Sequence, residues 1–173
     1  MPTNIEIKAR VVDRDQLIAT ATRLAGSERE DIDQDDTFFR CEAGRLKLRT
    51  FGQGSGQLIF YRRSDAAGPR ASFYTATATA DPDGLRNALT LAYGAVGRVR
   101  KHRVLFIAGR TRIHLDRVDE LGDFVELEVA LSENEETAHA IREAEQLMAA
   151  LGIRPEQLVP TAYVDLITAK AGP

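Results

Sequence analysis

The residues Asn4-Ile5-Glu6-Ile7-Lys8-Ala9-Arg10-Val11 alternate without a break. Ile5, Ile7, Ala9 and Val11 fall on one side, and Glu6, Lys8 and Arg10 on the other. A side-chain period of two belongs to a β-strand, so this stretch reads as a strand with one apolar and one charged face. The pattern returns three times. Arg45-Leu46-Lys47-Leu48-Arg49 sets Leu46 and Leu48 against cations. Thr111 to Asp116 sets Ile113 and Leu115 against Arg112, His114 and Asp116. Phe124 to Val129 sets Val125, Leu127 and Val129 against Phe124, Glu126 and Glu128. A chain built this way must put many ions on one face of a sheet. In an open sheet that face is solvated; in a closed sheet the ions converge inside. The residues alone allow both.

Further strands are expected at Thr37–Arg40, Leu58–Arg63, Ala71–Ala80 and Arg98–Ala108, with the acidic run Asp31–Asp36 read as a connection. Glycines 52, 54 and 56 suit a hairpin loop, and 64–70 another. Helices are inserted after the first, fifth and last strands. Asp13 with Gln16 caps the first, which carries Leu17, Ile18, Ala21 and Leu24 and stops near Gly26. Asp81-Pro82 opens the second, which ends at Gly94 or Gly97. Ser132 with Glu135 predicts a capping box for the third, and a last helix is expected over about Thr161 to Lys170. The fold class is therefore α+β, with about eight mostly hairpin-connected strands and amphipathic helices that cover the apolar faces.

Composition narrows the function classes. The 173 residues suit a single domain spanning 1–173, and 43% hydrophobic residues suffice for a core. A net charge of −3 makes any basic patch local, which argues against a nucleic-acid binder. Cys41 is the only cysteine, so no internal disulfide forms, as expected of a cytoplasmic protein. No apolar run is long enough for a signal peptide or membrane span, so no membrane partner is expected. His102 and His139 lack companions at zinc-ligand spacing. Ser64 and Ser72 have no visible triad. The glycines at 52–56 lack the Lys-Ser/Thr of a phosphate loop. Phe38 and Phe39 read as core, and His114 as a hydrogen-bonding residue.

If the sheet closes, Lys8, Lys47, Arg49, Arg62, Lys101, Arg103 and Arg112 converge with Glu6, Asp116, Glu126 and Glu128. Enclosed charges are costly unless paired or liganded. Arginine and lysine match phosphate oxygens, whereas carboxylates repel them unless a divalent cation intervenes. Mg²⁺ and Mn²⁺ take such oxygen ligands. The mixture points to a metal–polyphosphate complex.

The ordered set Asn4-Ile5-Glu6-Ile7-Lys8, Arg45–Arg49, Lys101-His102-Arg103, Thr111–Asp116, Glu126-Leu127-Glu128 and the closing Tyr163-Val164-Asp165-Leu166 resembles the CYTH family, the triphosphate tunnel metalloenzymes. The class IV, CyaB-type adenylyl cyclase branch is the most similar. The resemblance implies a closed eight-stranded antiparallel β tunnel barrel with flanking α-helices, and a reaction on a nucleoside triphosphate or other polyphosphate that depends on Mg²⁺ or Mn²⁺. It implies triphosphate contacts from Lys8, Lys47, Arg49, Arg62, Lys101, Arg103 and Arg112, with Arg45 and His114 as neighbours. Arg62 is preferred to Arg63 because it follows Tyr61, where the family usually has lysine. The resemblance further implies metal contacts from Glu6, Asp116, Glu126 and Glu128, catalytic roles for Lys8 and Asp116, and a homodimer. Two departures stand out. Asn4 occupies the place of the family's first glutamate, and the fifth strand carries Thr75 and Thr77 where some tunnel phosphatases are acidic. Three readings follow: cyclisation of ATP to cyclic AMP and pyrophosphate, a triphosphatase acting on tripolyphosphate, thiamine triphosphate or a nucleotide, and a non-catalytic polyphosphate binder, which Asn4 favours.

Overall fold

Each alternating stretch becomes a strand, and the strands close on themselves. The computed structural model describes residues 3–52, 54–63 and 68–171, so part of the 64–70 loop, with Ser64, lies outside the described residues. The strands are β1 (Thr3–Arg10), β2 (Glu30–Phe39), β3 (Arg45–Phe51), β4 (Gly56–Arg63), β5 (Arg70–Thr79), β6 (Ala95–Ala108), β7 (Thr111–Val118) and β8 (Gly122–Ala130). Helix α1 (Arg14–Leu24) follows β1, α2 (Pro82–Tyr93) follows β5, and α3 (Thr137–Ala150) and α4 (Tyr163–Ala171) follow β8. The barrel order is β1-β5-β4-β3-β2-β6-β7-β8, with β8 pairing back onto β1 and every pairing antiparallel. Among the described residues no helix is long and apolar enough to cross a membrane.

Closure decides which face is inside. Ile5, Ile7, Val104, Phe106, Leu115 and Leu127 point outward and are buried beneath Leu17 and Ala21 of α1 and Ala140 and Ala144 of α3. The main apolar core therefore lies between barrel wall and helices, and the ions turn inward. Burying each large side chain there is worth about 1.5–3 kcal/mol. A second cluster, with Phe38, Val99, Phe124, Tyr163 and Val164, joins α4 to the wall. The chain before α4 is tied to β1, where Val159 N donates to Lys8 O at 2.9 Å. At Gly97 a Cβ would lie 2.4 Å from Val164 Cγ2, so only glycine lets α4 approach this closely.

Three local expectations need correction. The acidic run is part of β2. Asp31, Asp33 and Asp35 face outward against β6, where Asp35 accepts from Arg98 at 2.5 and 2.7 Å and His102 sits 2.9–3.0 Å from Asp33 and Asp31. Cross-strand charge pairs, which no local pattern displays, hold this strand. Ser132 N does donate to Glu135 Oε2 at 3.0 Å, and Arg110 of the β6–β7 turn donates to the same carboxylate, yet the helix starts beyond this box, at Thr137. The last helix begins at Tyr163, two residues later than expected. The other caps agree: Asp13 Oδ1 accepts from Gln16 N at 3.0 Å, Asp81 Oδ1 from Gly84 N at 2.9 Å, and Gly94 at φ 79° ends α2.

Candidate functional site

The inward faces enclose a cavity of about 940 Å³. Period two selects its lining: Asn4, Glu6 and Lys8 from β1, Gln34 and Asp36 from β2, Lys47 and Arg49 from β3. Arg63 comes from β4, Arg70 and Ser72 from β5, Lys101 and Arg103 from β6, Arg112 and His114 from β7, and Glu126 and Glu128 from β8. Most residues expected from the sequence are thus brought together.

Arg62 is not. Ile59, Tyr61 and Arg63 share the inner face of β4, so Arg62 faces outward, its guanidinium 5.5 Å from the Phe73 ring centroid. Arg63 takes the interior place and donates to Glu6 Oε2 at 3.0 Å. The threonines of β5 are likewise outside: Thr75 and Thr77 are exposed, while Tyr74 and Ala76 line the cavity. Arg45 lies off the cavity lining and holds Asp165 of α4 at 3.0 Å. Arg112 sits at the mouth, 3.5 Å from Glu128 and half exposed.

Asp116 also differs from expectation. It is fully buried and absent from the cavity lining. Its carboxylate accepts from Lys101 at 2.8 Å, twice from Arg103 at 2.6 Å and from the Tyr163 hydroxyl at 3.2 Å. A carboxylate engaged four times by protein donors orients two cations from behind; its geometry is that of a positioning residue rather than a metal ligand. Burial alone would raise its pKa, but Arg103 and Lys101 hold it well below the usual carboxylate range.

Asp36 does the same on β2, on the other side of β6 from Asp116, and sequence reasoning missed it. Its oxygens accept from Lys47 at 2.7 Å and from Arg49 at 2.8 Å twice. Here too burial works upward and is overruled, by Arg49 and Lys47, so the acid stays ionised. The available signal was the alternation Ile32, Gln34, Asp36 within the acidic run. Tyr163, whose ring lies 4.2 Å from Lys8 Nζ and 5.0 Å from Lys101 Nζ, had no local signal for this contact.

The cations are crowded. Burial brings Lys8 down to about 7; Glu126 resists, and Arg63, Arg70 and Lys101 deepen the fall. Burial and Arg49 bring Lys47 to about 8 against the pull of Asp36. Lys8 is fixed by donation to Thr161 O at 2.9 Å.

The carboxylates of β8 stand apart. Glu126 meets Arg103 at 2.9 Å and Lys8 at 3.6 Å, and despite burial Lys101, Lys8 and Arg103 keep it well below its ordinary pKa. Glu128 is raised, first by burial and then by the negative charge of Glu6 opposite it in the β1–β8 register. His114, Glu126 and Glu128 offer ligand atoms within 4.8 Å of one another, and the buried His114 Nδ1 has no hydrogen-bond partner among the described residues. One carboxylate short of positive charge, Glu128, beside Glu126 and an unpaired ring nitrogen suits a divalent cation.

Comparisons with known proteins agree with this architecture. The barrel superposes on the PH1012 protein of Pyrococcus horikoshii OT3 with a TM-score of 0.84 and 22% identity, covering 94% of this chain and 98% of that one. A candidate adenylate cyclase from Vibrio parahaemolyticus gives a TM-score of 0.73 at 24% identity, over 95% and 97% of the two chains. The Hippeastrum protein HpAC1, a candidate adenylyl cyclase with a dominant triphosphatase activity, gives 0.66 at 15%, over 98% and 96%. Likenesses at these identities establish the shared fold. No curated protein matches the sequence. The model of the CYTH domain matches residues 2–163, nearly the whole chain, and with the closed charged barrel this shows that the chain belongs to the CYTH family.

Proposed function

We propose that the lumen binds a nucleoside triphosphate together with Mg²⁺ or Mn²⁺ and that the protein cyclises ATP to cyclic AMP and pyrophosphate. The carrying observation is the crowding of buried cations. Lys8, Lys47, Arg49, Arg63, Lys101 and Arg103 surround one cavity, and mutual repulsion with burial lowers the lysines, so a polyanion would relieve the strain. Asp36 and Asp116 hold four of these groups in fixed orientation, which is the preorganisation that charge stabilisation needs.

A divalent cation held by Glu126 and Glu128, with Glu6 beside them, would neutralise charge on the phosphate oxygens and orient the substrate. The residues of the chain do the rest: the basic row binds the triphosphate, Lys8 is steadied beside Glu126, and α4 covers one end of the lumen with Tyr163. In the cyclase reading the ribose 3′-hydroxyl attacks the α-phosphorus and pyrophosphate leaves.

A nucleotide is favoured over bare polyphosphate by Gln34. Its side-chain carbonyl is buried without a hydrogen-bond partner among the described residues, and it lies directly opposite Phe51 in the β2–β3 register at the edge of the basic row. An exocyclic amine of a base would satisfy that oxygen while the ring stacks on Phe51. The same cations and carboxylates could serve attack by water on the terminal phosphorus, the activity that dominates in the Hippeastrum protein. The deciding experiment incubates the protein with Mg²⁺ or Mn²⁺ and either ATP or tripolyphosphate and separates the products. Cyclic AMP with pyrophosphate supports the cyclase reading; inorganic phosphate without cyclic nucleotide replaces it with the triphosphatase; no turnover leaves a binding module.

A further inference from the structure

The residues assigned above to the metal are oxygen donors, yet a ring nitrogen of β7 stands beside them. His114 lies opposite Glu126 in that register, and its Nδ1 is 3.7 Å from Glu128 Oε1. That separation is too long for a hydrogen bond. The ring is only 4% exposed, and Nδ1 makes no hydrogen bond among the described residues. A histidine that merely packs would satisfy this nitrogen, because a buried polar atom left unpaired loses its hydration without recompense.

We propose that His114 is a direct metal ligand, so that the lumen holds its cation through one imidazole nitrogen together with Glu126 and Glu128. The proposal rests on the metal-dependent reading above and adds the nature of the site. Three donors each about 2.0–2.2 Å from one ion lie at most about 4.4 Å apart. Ligand atoms within 4.8 Å of one another therefore need only small side-chain adjustments. The site is mixed rather than all-oxygen. Mg²⁺ favours oxygen donors, whereas imidazole adds affinity for ions further along the first row. The lumen should therefore prefer Mn²⁺ or Co²⁺ to Mg²⁺, and the preference should depend on His114.

The test uses the untagged full chain loaded with Mn²⁺ alone and read by pulsed electron paramagnetic resonance, which detects a ¹⁴N nucleus bonded to the ion. The expected result is a nitrogen coupling in the unaltered protein that His114→Gln abolishes. Titration should show Mn²⁺ affinity falling by about tenfold or more in the variant, with a smaller change for Mg²⁺. Mn²⁺ bound without nitrogen coupling would overturn the proposal and leave a carboxylate site intact. Coupling that survives His114→Gln would also overturn it, assigning the nitrogen to another ring such as His102 beside Asp31 and Asp33. Failure of the protein to bind Mn²⁺ at all would overturn both this inference and the metal-dependent reading beneath it. If His114→Gln does not fold, Co²⁺ loading of the unaltered protein decides the matter, because contact-shifted imidazole resonances assigned to His114 appear only when its nitrogen is bonded.

Discussion

Two sets of carboxylates share one lumen and live in opposite electrostatic worlds. Asp36 and Asp116 are enclosed by Lys47, Arg49, Lys101 and Arg103 at 2.6–2.8 Å, and both are held far below the ordinary carboxylate range. Glu128 is half-buried beside Glu6, with its nearest cationic atom 3.5 Å away on the half-exposed Arg112, and its pKa is raised. Loss of solvent pushes Asp36, Asp116 and Glu128 upward alike; the difference lies in partners. The first set already has its cations and serves the protein's own framework. Glu128 is the member of the second set short of positive charge, and a cation there would make up the shortage.

The largest expected effect separates the two sets by stability. Asp116→Ala leaves the buried Lys101 without its carboxylate partner and Arg103 with Glu126 alone, and should lower unfolding free energy by about 3–5 kcal/mol in urea titrations. Glu128→Gln, which removes a charge from a site short of cations, should change the stability of the metal-free protein by no more than about 0.5 kcal/mol. Equal losses in the two variants would dissolve the distinction. Turnover should show the reverse emphasis: Glu128→Gln and Glu126→Gln are expected to reduce metal-dependent rate by about 10²–10³-fold in initial-rate assays while the protein stays folded.

A smaller effect concerns the base. Gln34→Leu should weaken ATP binding by roughly tenfold, the low end of about 1–3 kcal/mol for a bidentate amide–base contact, while tripolyphosphate binding is unchanged by calorimetry. Equal weakening of both ligands would move Gln34 from base recognition to general lumen structure.

Acid titration adds a signed prediction for Asp36. Its folded pKa lies below the unfolded value of about 3.9, so its contribution to stability is present above about pH 4 and is lost as pH falls below that. The stability gap between the unaltered protein and Asp36→Asn should therefore be widest at neutral pH and should narrow toward about pH 2 in chemical unfolding series. The smallest effect tests the wall itself. Arg62→Ala should leave tripolyphosphate affinity within about twofold, since an outward surface substitution changes little, whereas Arg63→Ala should weaken it measurably.

Much of this molecule was legible in its residues. Period-two alternation sorted Leu46 and Leu48 from Lys47 and Arg49, and Ile113 and Leu115 from Arg112 and His114, because neighbouring side chains of a strand must point to opposite faces. Carried through Tyr61, the same rule would have chosen Arg63; preferring Arg62 followed a family habit over the local pattern. Asp13, Asp81 and Gly94 announced their helix ends because capping is a matter of a few adjacent residues.

What alternation could not say is which face is inside. Only the pairing of β8 with β1 closes the sheet, turns the ions inward and puts the apolar core outside beneath α1 and α3. Nor could it foretell that Asp36 would clamp Lys47 and Arg49, that Asp116 would withdraw behind Lys101 and Arg103, or that Tyr163 would reach across from α4. Those contacts join residues 11 to 47 positions apart along the chain. The sequence by itself determined the faces, the caps and the inventory of charges, because these follow from neighbours along the backbone. The tertiary structure alone decided which charges neutralise one another and which are left wanting a partner, because electrostatic energy depends on separation in space and on burial.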